Sequence, residues 1–208
     1  VVPVRDENEN IKPFLQRTEN VLKTIGKPYE IIFALDPSSD NTEKVILDEI
    51  KRNNNIKLLV FSRQFGQPAA TFAGILNSKG SYCVIIDVDL QDPPEIIEKL
   101  YKRIISGYEA VYAKRASRKG ETIFKKIISS FGYFIINKLS DIRIPKDTGD
   151  YRIISRKVIG HLKELNESHG FLRGMVAFVG FKQTSVEYDR EDRRAGKSKY
   201  NKFFGSLR

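Results

Sequence analysis

The residues with the most chemical content in this chain are Asp87-Val88-Asp89-Leu90-Gln91-Asp92-Pro93-Pro94-Glu95. They follow the apolar run Tyr82-Cys83-Val84-Ile85-Ile86, which has the length and composition of a buried strand. Two carboxylates spaced i, i+2 then stand where a strand runs out into a loop, the edge at which open α/β sheets bind ligands. Oxygen donors of this kind suit Mg²⁺ or Mn²⁺, and Mg²⁺ takes one or two carboxylates together with substrate phosphates. Pro-Pro-Glu is suited to opening a helix, with proline at its first position and an acid in its first turn. Acidic loops are also common as plain solvated turns, so spacing alone leaves both readings open.

Two further constellations fall at predicted strand ends. Asp36, with Ser38 and Asp40, closes a second strand, where a carboxylate can hydrogen-bond a base or ribose. Asp40 stands just before a helical stretch and fits an N-cap or an Asx-turn. Pro3-Val4-Arg5-Asp6-Glu7 ends the first strand in the same neighbourhood. The chain carries neither a GxGxxG nor a Walker A pattern, so a nucleotide's phosphates would need a metal and Arg or Lys rather than a cradle of backbone amides. Arg115 and Arg118 follow a fifth strand, while Arg190, Arg193, Lys197 and Lys199 crowd around Gly196 and Ser198. Singly, each is ordinary surface charge; as a cluster, the second set has the character of a lid over an anion.

These groups need a scaffold, and the first hundred residues alternate strand and helix. Strands are expected at Val1–Val4, Glu30–Leu35, Lys57–Phe61, Ser81–Ile86 and Glu109–Ala113. Helices are expected at Asn10–Ile25, Asn41–Lys51, Pro68–Asn77 and Pro93–Ser106. The alternation predicts βαβ units and a mostly parallel sheet flanked by helices. Glu121–Leu139 reads as one long helix whose apolar face either packs on the core or lies in lipid headgroups. Strand-like Gly149–Ser155, a short helix over Arg156–Leu165 and strand-like Lys182–Tyr188 follow.

Charge is unevenly spread. Residues 1–100 hold 12 Lys/Arg and 15 Asp/Glu, while residues 101–208 hold 24 and 11, so an acidic half precedes a strongly basic one. The basic half suits a polyanionic partner: nucleic acid, a phosphorylated small molecule or an anionic membrane face. The single cysteine, Cys83, excludes a disulfide within the chain and fits a reducing compartment. No apolar run has the length of a transmembrane helix. The only methionine is Met175 and the chain opens inside a strand-like segment, which reads as a fragment of a longer protein.

Together these stretches resemble the polyprenyl-phosphate (dolichol-phosphate) sugar transferases, inverting glycosyltransferases of the GT-A fold. The likeness rests on Val2-Pro3-Val4 with Glu7, Asp36–Thr42, Ser62-Arg63-Gln64-Phe65-Gly66 and Asp87–Glu95. It continues through Asp147-Thr148-Gly149-Asp150-Tyr151-Arg152, Phe171-Leu172-Arg173-Gly174 and Arg190-x-x-Arg193-x-x-Gly196-x-Ser198-Lys199-Tyr200. It implies one GT-A catalytic domain over 1–208, with a nucleotide-sugar and metal half at 1–113 and an acceptor and membrane-interface half at 114–208. Asp87, Asp89 and Gln91 would surround Mg²⁺ or Mn²⁺. Pro3, Glu7, Asp36, Asp87, Arg190 and Arg193 would hold the nucleotide sugar. Arg115, Arg118, Ser198 and Lys199 would meet the phosphate of a polyprenyl acceptor, and Asp89, Asp150 and Arg115 would carry the reaction. The chain departs from the group at Arg5-Asp6, Leu35, Pro37 and Gln67.

The expected activity is therefore transfer of a sugar, with inversion, to a polyprenyl phosphate. The setting would be the cytoplasmic face of a membrane, in a protein with membrane helices beyond this segment. Partners are the donor, the acceptor and the membrane surface, without nucleic acid; a homo-oligomer is a further option. Two rivals stand beside this reading. Transfer to a sugar hydroxyl during polysaccharide assembly would make Asp150 a base. A basic nucleic-acid-binding module would use the charge of the second half but not the acidic strand ends.

Overall fold

The strand and helix signals assemble as expected in kind, with one departure in direction. The computed structural model describes residues 1–116, 148–165 and 172–191. Strands β1 (Val2–Val4), β2 (Ile31–Leu35) and β3 (Ile56–Val60) pair in parallel in the order β1-β2-β3. Strands β4 (Tyr82–Ile85), β5 (Ala110–Arg115), β6 (Thr148–Ser155) and β7 (Gln183–Tyr188) follow the order β4-β6-β5-β7. The amino group of Val1 donates to the Val84 carbonyl at 2.7 Å, and the Ile86 amide donates to the Val1 carbonyl at 3.2 Å. Those bonds join β1 to β4 in parallel and make one surface of the two sheets. β5 and β7 are also parallel. β6 runs against both of its neighbours, a reversal that local pattern does not encode.

Alternation along the strands sends side chains to two cores. Val111, Ala113, Tyr151 and Ile153 face one; Ala110, Tyr112, Cys83, Ile85 and Ile154 face the other. The first core is covered by α1 (Asn8–Ile25), α2 (Thr42–Ile50) and α4 (Ile96–Ile104). The second is covered by α3 (Gln67–Asn77), α5 (Arg156–Glu164) and α6 (Leu172–Phe178). Buried Cys83 is a packing residue. The helix α6 has no counterpart in the sequence reading, because its seven residues include Gly174 and span barely two turns. The expected helix Glu121–Leu139 lies outside the described residues. No helix among the described residues is long and apolar enough to cross a membrane.

Helix starts place the loops that matter. Asp40 rather than the nominal cap Asn41 does the capping: its carboxylate accepts the Thr42 amide at 2.9 Å and the Asn8 amide at 3.2 Å. One side chain thereby serves the first turns of both α2 and α1. Asp40→Ala is expected to lower stability by about 1–2 kcal/mol, read from a denaturant midpoint, because two helix starts lose an acceptor at once. Pro93 and Pro94 form a lead-in turn to α4, their carbonyls accepting the Ile96 and Ile97 amides at 3.2 and 2.9 Å.

Candidate active site

The C-terminal ends of β1, β2 and β4 open onto a cleft of about 440 Å³. Pro3, Glu7, Asp36, Asp87, Asp89, Gln91 and Arg190 all line it, so the fold brings most of the expected donor and metal residues into one place. Arg5, Gln64, Gly66 and Gln67 are also part of the wall. Arg193, Arg118, Ser198 and Lys199 lie outside the described residues. Arg115 and Asp150 are absent from the cleft lining.

Two loops, after β1 and after β2, form one side of the cleft. Asp6 adopts φ 47, and its amide donates to Ser38 Oγ at 3.0 Å while its carboxylate accepts the Ser39 amide at 2.6 Å. The Glu7 amide donates to Thr42 Oγ1 at 2.8 Å, and the Glu7 carboxylate accepts Asn10 Nδ2 at 2.6 Å. Asp36 is 3% exposed, and its two oxygens accept the Phe65 and Gly66 amides at 3.1 and 2.7 Å. It therefore shapes the 61–66 loop as well as lining the cleft. Gly66 has φ +88, a left-handed conformation that a β-carbon would strain.

The Asp87–Glu95 loop is bent at Leu90, which holds φ 60 while its side chain is buried. A left-handed leucine costs about 1–2 kcal/mol, and anchoring in the core keeps it there. The bend turns Asp89 and Gln91 towards the cleft, where the Asp89 carboxylate accepts the Gln91 amide at 3.1 Å. Gln67 Nε2 donates to Asp87 at 2.8 Å, so the departure at Gln67 gives Asp87 a neutral partner. Burial, then the charges of Asp89, Asp92 and Asp150, push the Asp87 carboxyl up to about 7, with Arg190 opposing.

Among the described residues no three His, Cys, Asp or Glu side chains form a closed metal cage. The donor set still fits a hard divalent cation. Asp87 and Asp89 offer carboxylate oxygens and Gln91 an amide oxygen in one crowded acidic spot, and such cations complete their shell with water and substrate phosphate.

The residue that sequence reasoning missed is Asp92. It is 3% exposed. Its carboxylate accepts the Tyr188 hydroxyl, lies 3.3 Å from Arg190 Nε and 3.9 Å from an Arg115 nitrogen. Burial and then Asp92 hold the Tyr188 phenol above its ordinary value. Tyr188 packs edge-on against Tyr151, whose hydroxyl donates to the Pro93 carbonyl at 2.9 Å. One buried carboxylate thus gathers Arg190, expected on the donor side, and Arg115, expected on the acceptor side. The register of β5 against β6 shifts between Tyr112 and Lys114, just ahead of Arg115. A second carboxylate outside the cleft lining, Asp150, lies 3.2 Å from Arg173 Nε and 3.8 Å from the fully buried Arg152. Burial lowers Arg152 to about 10.

The model of glycosyl transferase family 2 matches residues 1–163. The chain belongs to that family. An uncharacterized glycosyltransferase of Bacillus subtilis is 43% identical over 200 residues, which cover 96% of this chain and 62% of the relative. The bactoprenol glucosyl transferase of Shigella phage SfX is 38% identical over 203 residues, covering 97% of this chain and 66% of the relative. This chain therefore spans somewhat less than two thirds of the length of these relatives. Among solved structures, a glucosyl-3-phosphoglycerate synthase from Mycobacterium tuberculosis, in complex with Mn²⁺, UDP and phosphoglyceric acid, superposes with TM-score 0.61. That match has 16% identity and covers 94% of this chain and 70% of that one. It establishes the GT-A arrangement of the family 2 fold.

Proposed function

We propose that this family 2 domain transfers a sugar from a nucleoside diphosphate sugar to a polyprenyl phosphate at a membrane surface, with inversion at the anomeric carbon. The observation that carries the reading is the opposition of charge across one cleft: Asp36, Asp87 and Asp89 on strand ends, faced by Arg190 from the far end of the chain. A diphosphate that would meet a divalent cation on one side and a guanidinium on the other fits that opposition. The bactoprenol glucosyl transferase named above supports the acceptor class, and the neighbour with Mn²⁺ and UDP supports the donor and metal class.

Asp87, Asp89 and Gln91 would hold Mg²⁺ or Mn²⁺, which as a Lewis acid offsets charge on the leaving diphosphate. Pro3, Glu7 and Asp36 frame the nucleoside, and Arg190, with Arg193, meets the phosphates. Arg115, Arg118, Ser198 and Lys199 would meet the acceptor phosphate. A phosphate monoester is largely ionised at pH 7, with its second pKa about 6, so positioning and electrostatics outweigh proton removal. Asp150 is already paired with Arg173 and near Arg152. That pairing favours an orienting role over the base that a sugar hydroxyl acceptor would require.

Nucleotide release measured over a panel of UDP- and GDP-sugars, with polyprenyl phosphate in vesicles, tests the reading. One donor class is expected to turn over only with acceptor and divalent metal present, and EDTA should stop it. Equal release without polyprenyl phosphate, or turnover only with a sugar hydroxyl acceptor, would overturn the acceptor assignment.

A further inference from the structure

Arg190 reaches the cleft from a short segment, Tyr188–Glu191, that leaves the edge strand β7 and lies across the Asp87–Glu95 loop. Two contacts of that seam are local to it. The Glu191 amide donates to the Gln91 carbonyl at 2.9 Å, and Arg190 Nε lies 3.3 Å from Asp92. The third comes from α1. Arg17 Nε and Nη2 donate to the Glu95 carboxylate at 2.9 and 2.7 Å, while Nη1 and Nη2 donate to the Glu191 carboxylate at 3.0 and 3.0 Å. One guanidinium therefore forks onto both sides of the seam at once. The bonds to Glu95 and then Glu191 raise its pKa further, so its charge is constant.

Arg17 takes no part in lining the cleft. We propose that Arg17 is a positioning residue for donor binding, a latch that clamps the Arg190 segment to the metal loop so that Arg190 already stands at the cleft when the nucleoside diphosphate arrives. The role rests on the donor reading given above. Its physical basis is preorganisation: a segment held before binding spares the ordering cost at binding. Exposed ion pairs usually contribute only about 0.2–1 kcal/mol, but doubly forked arginine in a network of charges is the exception. At 29% exposure for the Arg17 side chain, against 52% and 49% for its partners, the network is partly shielded on the arginine side.

Hydrogen exchange and calorimetry on the chain, on Arg17→Ala, on Glu191→Gln and on the double variant test it. The calorimetric probe is UDP or GDP with Mn²⁺, whichever the wild-type chain binds. Arg17→Ala is expected to speed amide exchange across residues 188–191 and to weaken nucleotide binding, each about fivefold, or about 1 kcal/mol. Glu191→Gln should act in the same direction, and the double variant should be no worse than Arg17→Ala alone, the mark of two groups in one interaction. In turnover, the loss should appear in donor KM, with kcat within about twofold. A merely structural role would lower the unfolding midpoint without that split. Unchanged exchange and affinity in Arg17→Ala, or fully additive losses in the double variant, would overturn the latch. A wild-type chain that binds neither nucleotide would overturn the donor role, and the exchange result would separate that failure from a latch that does not hold.

Discussion

Asp89→Ala is expected to reduce sugar transfer by about 10³-fold or more, a loss of about 4 kcal/mol of transition-state stabilisation, while the domain stays folded. Asp89 lines the cleft beside Asp87 and Gln91, at 8% exposure, with its carboxylate accepting the Gln91 amide at 3.1 Å. Alanine removes that turn bond and a proposed metal ligand. It also removes one of the like charges that push Asp87 up, and this relief offsets part of the lost bond. Unfolding free energy should therefore move by less than about 2 kcal/mol, against a collapse in turnover. EDTA on the wild-type chain should reproduce the kinetic effect without the substitution. Full turnover by a folded Asp89→Ala variant, or by wild type in EDTA, would remove the metal from the proposal.

The second large effect is expected at Asp92. Asp92→Asn keeps an acceptor for the Tyr188 hydroxyl but withdraws the charge that faces Arg190 and Arg115. Transfer should fall by about 10- to 100-fold, since two arginines lose the group that orients them, and misplacement of binding groups by about 1 Å costs that much. Asp92→Ala should match this kinetic loss and add about 1–3 kcal/mol of destabilisation, because the buried hydroxyl and both guanidinium groups lose their shared partner. The figure is kept below that of a fully buried pair, since the side chains of Arg115 and Arg190 are 23% and 31% exposed. Urea midpoints and steady-state kinetics on the two variants separate these contributions. An Asp92→Asn variant with wild-type turnover would reduce Asp92 to a packing group.

The residues that could be read in advance were those whose signal is local. Apolar runs of strand length ending in Asp36 and Asp87, and helical spacing between them, placed both carboxylates at strand ends, and the fold put them in one cleft. Period-2 and period-3.6 patterns are properties of neighbouring residues, so they survive in a single sequence. Asp92 was passed over because nothing near it in sequence marks it as more than a helix lead-in. Its partners lie beyond the reach of local pattern: Arg115 follows a later strand, and Tyr188 is 96 residues away with Arg190 just after it. The reversal of β6 between β4 and β5 has the same origin, because strand direction is settled by non-local pairing rather than by strand propensity.

Asp36 shows the converse: the sequence marked the right residue and left its task open between ligand and turn. The tertiary structure engages both of its oxygens with backbone amides of a loop 29 and 30 residues away. Arg17 is the extreme case, a surface arginine on an amphipathic helix until folding brings Glu95 and Glu191 to it from 78 and 174 residues away. Sequence by itself determined which residue types stand at the strand ends, and so what chemistry the cleft can hold. Only the tertiary structure decided which arginines face those carboxylates, because charge attraction acts over a few ångströms of space and is blind to separation along the chain.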